Sequence, residues 1–372
     1  MEIAPVSNGR DLDRFIAFPY DFYRDDPLWV PQLRRDIRIL LTPGQNPFWE
    51  HAEAQFWTAR RPDGRMVGRI GAIKNDMHNK VHEDRVGFYG FFESIDDQSV
   101  ANALFETAAG WLRAKGFDTM RGPMNPSTND DCGLLIENDG TPPSLMMPYN
   151  FSYYERLHEA YGFKKAKDLL AYYGGGGESA PERFLRLGQR ALKRSGIRLR
   201  TLNKKRFDDE VELIKKLYNS AWEKNWGFVP LTDAEIDHLA KQLKPIVVPD
   251  LVIFAEREST AEFVGFAVGL PDFNLALLHN RSGRMFPGIL KVLWHARHIH
   301  RARILLLGVI PEFRGRGIDA ILYHTVWQNS VKHGMPSGEA GWILEDNALM
   351  NKAALELGFH KTKTYRVYDK TL

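Results

Sequence analysis

Between residues 308 and 324 the chain reads GVIPEFRGRGIDAILYH, and four consecutive positions, Arg314-Gly315-Arg316-Gly317, hold two guanidinium groups and two glycines. The apolar run before them has the composition of a buried strand, and the apolar spacing after them predicts a helix. The four residues therefore fall where a strand turns into a helix N-terminus, where backbone N–H groups lack intrahelical partners and the helix dipole adds partial positive charge. Glycine at 315 and 317 brings main-chain amides close to an oxyanion and permits positive φ, while the arginines add forked donors suited to phosphate. The ligand such a turn would hold is a pair of adjacent phosphates. The same four residues also make an ordinary glycine-rich turn with solvated arginines. No aromatic residue interleaves them and the net charge is only +3, so a nucleic-acid surface is not expected.

Other clusters carry weaker chemistry. His295, His298 and His300 supply three imidazoles without a Cys or carboxylate nearby to complete a zinc set, and no metal is called for. Trp222 and Trp226, after an amphipathic helix, could line an acceptor pocket or simply pack in a core. Asn125 and Asn129 lie in a polar loop after a strand and could bond an acceptor or serve only as turn residues. Cys132 is the single cysteine, so no disulfide forms within the chain and a small buried side chain is expected there. The N-terminus lacks a signal-peptide pattern and no apolar run approaches bilayer length, from which a cytoplasmic location is expected.

The elements that must position these groups repeat. QFWTARR and RMVGRIGAIK read as strands around a Pro62-Asp63-Gly64 turn, RVGFYGFF as a third strand, and QSVANALFETAAGWLRAKG as an amphipathic helix. A second helix closes at Gly162. After residue 196 the order recurs: DLVIFAERES, EFVGFAVGL and RILLLGVI are strands, followed by helices stopped at Gly334 and Gly358. The pattern predicts a duplicated α/β unit with mixed sheets, in domains 1–175 and 182–372, joined through the glycine-rich stretch at 174–181.

VIPEFRGRGIDAIL resembles the phosphate loop of the GNAT acyltransferases, and EDNALMNKAALELGF resembles the last helix of the same superfamily. The resemblance implies two tandem GNAT-like domains, the second binding acetyl-CoA or a longer acyl-CoA and passing the acyl group to an amine, small or lipid-like. By position, Val309 and Ile310 would offer backbone groups to the pantetheine arm. Arg314, Gly315, Arg316, Gly317 and Ile318 would wrap the pyrophosphate, and Asn347 would border the thiol. Two positions depart from the family pattern. Asp319 puts a carboxylate near the phosphates, and Ala354 stands where relatives place the tyrosine that protonates the leaving thiolate. Glu345, as base or water-orienting group, and Tyr323, as acid, are the candidate replacements. The first half carries Glu93, Asp96 and Asp97 where phosphate-binding residues would stand, so it is expected to shape the acceptor side only. An aminoacyl-tRNA-dependent transferase and a non-catalytic acyl-CoA sensor are the alternatives.

Overall fold

Apolar runs four to twelve residues long, broken by glycine and proline turns, become strands, and the segments with three-to-four-residue apolar spacing become the helices between them. The computed structural model describes the backbone of residues 1–175, 196–222 and 225–372, with the side chains of 220–222 outside the description. In chain order the strands are β1 (Glu2–Pro5), β2 (Ala52–Arg60), β3 (Met66–Asn75), β4 (Val86–Ser94), β5 (Thr119–Gly122), β6 (Met124–Asn125), β7 (Asp131–Cys132), β8 (Leu134–Asn138) and β9 (Lys164–Gly175). They continue with β10 (Ile197–Thr201), β11 (Val252–Arg257), β12 (Phe263–Pro271), β13 (Arg301–Val309), β14 (Ser337–Leu344) and β15 (His360–Thr371).

The described residues fall into two units, and each draws on both halves of the chain. Unit 1 comprises Met1–Leu169, Ala276–Trp294 and Lys363–Leu372; unit 2 comprises Leu170–Leu275 and His295–Thr362. In unit 1 the sheet order is β1-β2-β3-β4-β5-β15, antiparallel through β4, parallel between β4 and β5, and antiparallel again at β15. The helix Gln98–Ala114 buries Val100, Ala101, Leu104, Phe105, Ala108, Ala109 and Leu112 in the core of this unit. Unit 2 repeats the pattern: β10, β11, β12 and β13 are antiparallel neighbours, and β13 pairs with β14 in parallel. The helix Ile318–Lys332 buries Ile318, Leu322 and Val326 against β11–β13 residues such as Ile253, Ala267 and Val309. The duplicated mixed-sheet unit expected from the sequence is therefore present.

The glycine-rich stretch is only partly a connector. Gly174 and Gly175 lie inside β9, not in a linker. A Cβ on Gly174 would stand 2.7 Å from the ring of Phe359, and one on Gly175 2.3 Å from the Pro336 carbonyl oxygen. Both glycines answer a close approach of neighbouring chain. The rest of the expected joint, 176–181, lies outside the described residues.

Candidate active site

The site is built on the turn from β13 into the helix Ile318–Lys332. A short 3-10 turn, Pro311–Phe313, leaves the strand, and its Phe313 ring is buried. Gly315 and Gly317 both take positive φ, +71° and +78°. Gly317 is the N-cap of the helix and no side chain caps it, so the first amides of the helix are left to a ligand or to water. A Cβ built on Gly315 would meet nothing within 4 Å; backbone conformation, not crowding by the protein, favours glycine there.

The cations around the turn are held by specific contacts. Arg314 Nε donates to the Val309 carbonyl at 3.1 Å. Arg316 lies over the Phe313 ring, 4.8 Å from its centroid, and so does Arg257 from β11, at 5.7 Å. Arg257 is a third cation that sequence reading missed; its proximity depends on sheet pairing, which leaves no local signal. Asp319 stands in the first turn of the helix, half-buried, where a carboxylate suits the dipole.

Beside the turn, the parallel pair opens. β13 and β14 are in register from Arg301↔Ser337 to Ile304↔Ala340, although both strands continue beyond that point. Where they pair, all but Ile304 are buried; beyond it, Leu305, Leu306 and Leu307 on one side and Gly341, Trp342 and Ile343 on the other are half-exposed. Ile310 donates its N–H to the Val264 carbonyl of β12 at 3.0 Å. Alternation along a strand then turns the N–H groups of Val309 and Leu307 to the other side, the one from which β14 has diverged. Of the two residues expected to serve the pantetheine arm, only Val309 directs its backbone to this opening, and its carbonyl already accepts from Arg314.

At the far end of β14, Glu345 is half-exposed. Asn351, unmarked by any motif, fixes this corner: its Nδ2 donates to the carbonyls of Leu344 at 3.0 Å and Glu345 at 3.2 Å, and its Oδ1 accepts from Tyr172 at 3.1 Å. Asn347 is the N-cap of the helix Ala348–Glu356, its Oδ1 accepting the Met350 N–H at 3.2 Å. Tyr323 is buried in one cluster with Tyr172, Ala340, Ala354, Leu357 and Phe359. Its hydroxyl has no hydrogen-bond partner among the described residues, and burial pushes its pKa up, which keeps the phenol protonated.

The acceptor-side residues separate. Asn125 and Asn129 belong to unit 1, where Asn125 Oδ1 accepts the Phe91 N–H at 2.6 Å and the Asn129 N–H donates to Ser127 Oγ at 3.1 Å. Trp226 belongs to unit 2 and is half-buried; Trp222 ends the helix Phe207–Trp222, and its side chain lies outside the described residues. Cys132 is a buried thiol outside any disulfide. Among the described residues no group of His, Cys, Asp and Glu is arranged to hold a metal.

No family model matches the sequence. The chain is 37% identical to a bacterial ceramide synthase of Caulobacter vibrioides over 383 aligned residues, covering all of this chain and 98% of that one. It is 34% identical to protein YghO of Escherichia coli, covering 98% of this chain and 94% of the relative. Among solved structures, a tandem GNAT protein from the clavulanic acid biosynthesis pathway superposes with a TM-score of 0.58 at 13% identity, covering 100% and 98% of the two chains. A GCN5-related N-acetyltransferase from Sphaerobacter thermophilus superposes with a TM-score of 0.55 at 14% identity, covering 99% and 95%.

Proposed function

This chain belongs to the GNAT superfamily of N-acyltransferases in its tandem-domain form, and we propose that unit 2 takes a long-chain acyl-CoA and forms an amide on a long-chain amine. The observation that carries the reading is the uncapped, glycine-lined helix start at Gly317 set beside the opened β13/β14 pair. The first suits a diphosphate. The second suits an extended arm that adds to a strand edge by main-chain hydrogen bonds.

The reaction needs few groups. The lone pair of the neutral amine attacks the thioester carbonyl, negative charge moves to its oxygen, and the C–S bond then breaks to give amide and thiolate. The backbone N–H groups of Leu307 and Val309 are the candidate donors to that oxygen, fixed by β12 pairing and needing no rearrangement. The ammonium proton leaves to Glu345 or to water ordered by it and ends on the thiolate, while the Tyr323 phenol, which burial keeps protonated, is the candidate hydrogen-bond donor to the departing sulfur. An acceptor contact from Trp226, in the same unit, is part of the proposal.

Chain length is the finer claim. The resemblance implied acetyl-CoA or a longer acyl-CoA. A long acyl group is favoured by the ceramide synthase relative and by the apolar, half-exposed character of Leu305, Leu306, Trp342 and Ile343 on the strands that flank the opening. The test is thiol release from acyl-CoA of graded length with a long-chain amino alcohol, the amide identified by mass spectrometry. A rate that climbs with chain length supports the proposal; activity confined to acetyl-CoA sinks it. Glu345→Gln should lower kcat about tenfold to a hundredfold with acyl-CoA affinity unchanged, and unaltered turnover would remove Glu345 from the mechanism.

A further inference from the structure

We propose that unit 1 carries a docking surface for an anionic lipid bilayer, formed by the segment Phe286–Trp294 and the arginines beside it. The proposal rests on exposed apolar area where a water-soluble surface would be polar. Phe286 is 73% exposed, Leu290 62%, Leu293 57% and Trp294 61%, all within nine residues. Leu290, Leu293 and Trp294 lie three and four positions apart on the helix Gly288–Ala296, so they share one face, while Val292 and Gly288 are buried on the other. Isolated exposed leucines are ordinary; a phenylalanine, a tryptophan and two leucines together are not.

The segment is pinned from behind, which makes its exposure a fixed feature. Arg281 donates to the carbonyls of Trp29 at 2.7 Å, Tyr23 at 2.9 Å and Asp26 at 2.7 Å. Asn280 Nδ2 donates to the Arg284 carbonyl at 2.9 Å, and a Cβ on Gly288 would strike the Asn280 side chain at 2.1 Å. An apolar face held outward by a rigid base inserts without the cost of ordering a loop.

Charge decides between a bilayer and a second protein copy. Lys291 is exposed within the segment and Arg284 just before it. The helix Arg34–Leu41 docks on the turn that leads into the segment, its Arg34 N–H donating to the Gly283 carbonyl at 2.8 Å and Arg34 Nε to the Ser282 carbonyl at 2.8 Å. Arg34, Arg35 and Arg38, with Arg10 and Arg14, line a cavity of about 550 Å³ in which Asp13 is the single carboxylate. Arg38 pairs with Asp13 and Arg14 with Asp11, which leaves Arg10, Arg34, Arg35, Arg284 and Lys291 in excess over Asp36 on this face; a second copy would bring the same excess, whereas lipid phosphates complement it. Phe, Leu and Trp on one helix face beside basic residues make an element that lies in the interface, and no helix among the described residues is long and apolar enough to cross a membrane.

The inference gains its use from the long-chain acceptor reading, since such an amine is taken from a bilayer, but its test does not depend on catalysis. The full chain, without acyl-CoA, is sedimented with vesicles of phosphatidylglycerol and phosphatidylcholine and with vesicles of phosphatidylcholine alone. Partition onto the mixed vesicles is expected, about tenfold or more above the neutral ones. The double variant Leu290→Glu, Trp294→Glu should lose it, and Arg35→Glu with Lys291→Glu should erase the preference for anionic lipid. All four positions are exposed, and unchanged thermal unfolding controls for folding. Equal sedimentation of the apolar-face variant, failure of the wild type to bind either vesicle, or self-association abolished by that variant without vesicle binding would each overturn the proposal.

Discussion

The two units meet the same structural problem, a helix entered from a strand, and solve it in opposite ways. In unit 1 the turn after β4 reads Ile95-Asp96-Asp97, and Asp97 caps the helix Gln98–Ala114 by accepting the Ser99 N–H at 2.9 Å. The Ser99 hydroxyl, and after it that backbone bond, hold the Asp97 carboxyl below its usual range. Asp96 pairs with Arg156. Glu93 turns inward, where its Oε2 accepts from the hydroxyls of Tyr23 at 2.6 Å and Tyr154 at 2.7 Å, with Arg69 3.5 Å away. Unit 2 instead ends in Gly317, has no side-chain cap and keeps its arginines outside. One turn supplies its own anion; the other has no side-chain cap, which is what the proposed diphosphate would use. The two units share a scaffold and differ in the electrostatics at the helix start.

The largest effect that would test this difference comes from filling the glycine turn. Gly317→Val puts a β-branched residue at φ +78°, a strain of roughly 1–2 kcal/mol that the fold tolerates. It should reduce acyl-CoA binding below detection by calorimetry while circular dichroism stays native. Equal affinity in the variant would remove the phosphate assignment from this turn.

Next comes an acid sensitivity of unit 1. His158 is fully buried among Tyr89, Phe92, Phe105, Phe163 and Tyr368, and its Nδ1 donates to the Tyr154 carbonyl at 2.7 Å. A second proton would sit on Nε2, which is buried without a partner, and burial lowers the pKa to about 4. Because the folded value lies below the unfolded one, the unfolded chain binds more protons, and stability falls as pH drops through the window between about 6.5 and about 4. The full shift amounts to on the order of 3 kcal/mol. Denaturant midpoints compared for wild type and His158→Phe between neutral pH and pH 5 should converge as pH falls; parallel curves would contradict it.

Arg316→Ala should weaken acyl-CoA binding about tenfold, roughly 1.4 kcal/mol, and reduce its salt dependence. Its contact with Phe313 is replaceable by Arg257 from the neighbouring strand, so the fold should not suffer.

How much of this was legible in the sequence follows from how local each feature is. The Arg-Gly-Arg-Gly turn, the helix stops at Gly162, Gly334 and Gly358 and the repeated element order depend on neighbours along the chain, and they were readable. The mixed composition of the units was not. Residues 276–294 belong with the first unit because Arg281 seeks carbonyls of residues 23–29, and Lys363–Leu372 because β15 pairs with β5; neither pairing leaves a trace in local periodicity. Glu93 was legible as the wrong residue for phosphate, but not as a buried carboxylate held by two tyrosines. Gly174 and Gly175 read as linker because only the ring of Phe359 and the chain at Pro336, remote in sequence, explain them as strand.

The smallest effect is the most specific to the comparison. Asp97→Ala removes the carboxylate that accepts from Ser99 and leaves the first amides of the helix Gln98–Ala114 to water. Loss of such a cap costs about 1 kcal/mol. Unit 1 should therefore unfold at a lower temperature in the variant. Acyl-CoA affinity should stay at the wild-type value, because an uncapped helix start is not sufficient: this turn has no glycine at positive φ between β4 and the helix, and Glu93 and Asp96 remain beside it. A variant that gained a second acyl-CoA equivalent by calorimetry would show that Asp97 alone separates the two turns, and the contrast would then rest on one side chain instead of on the conformation of the loop.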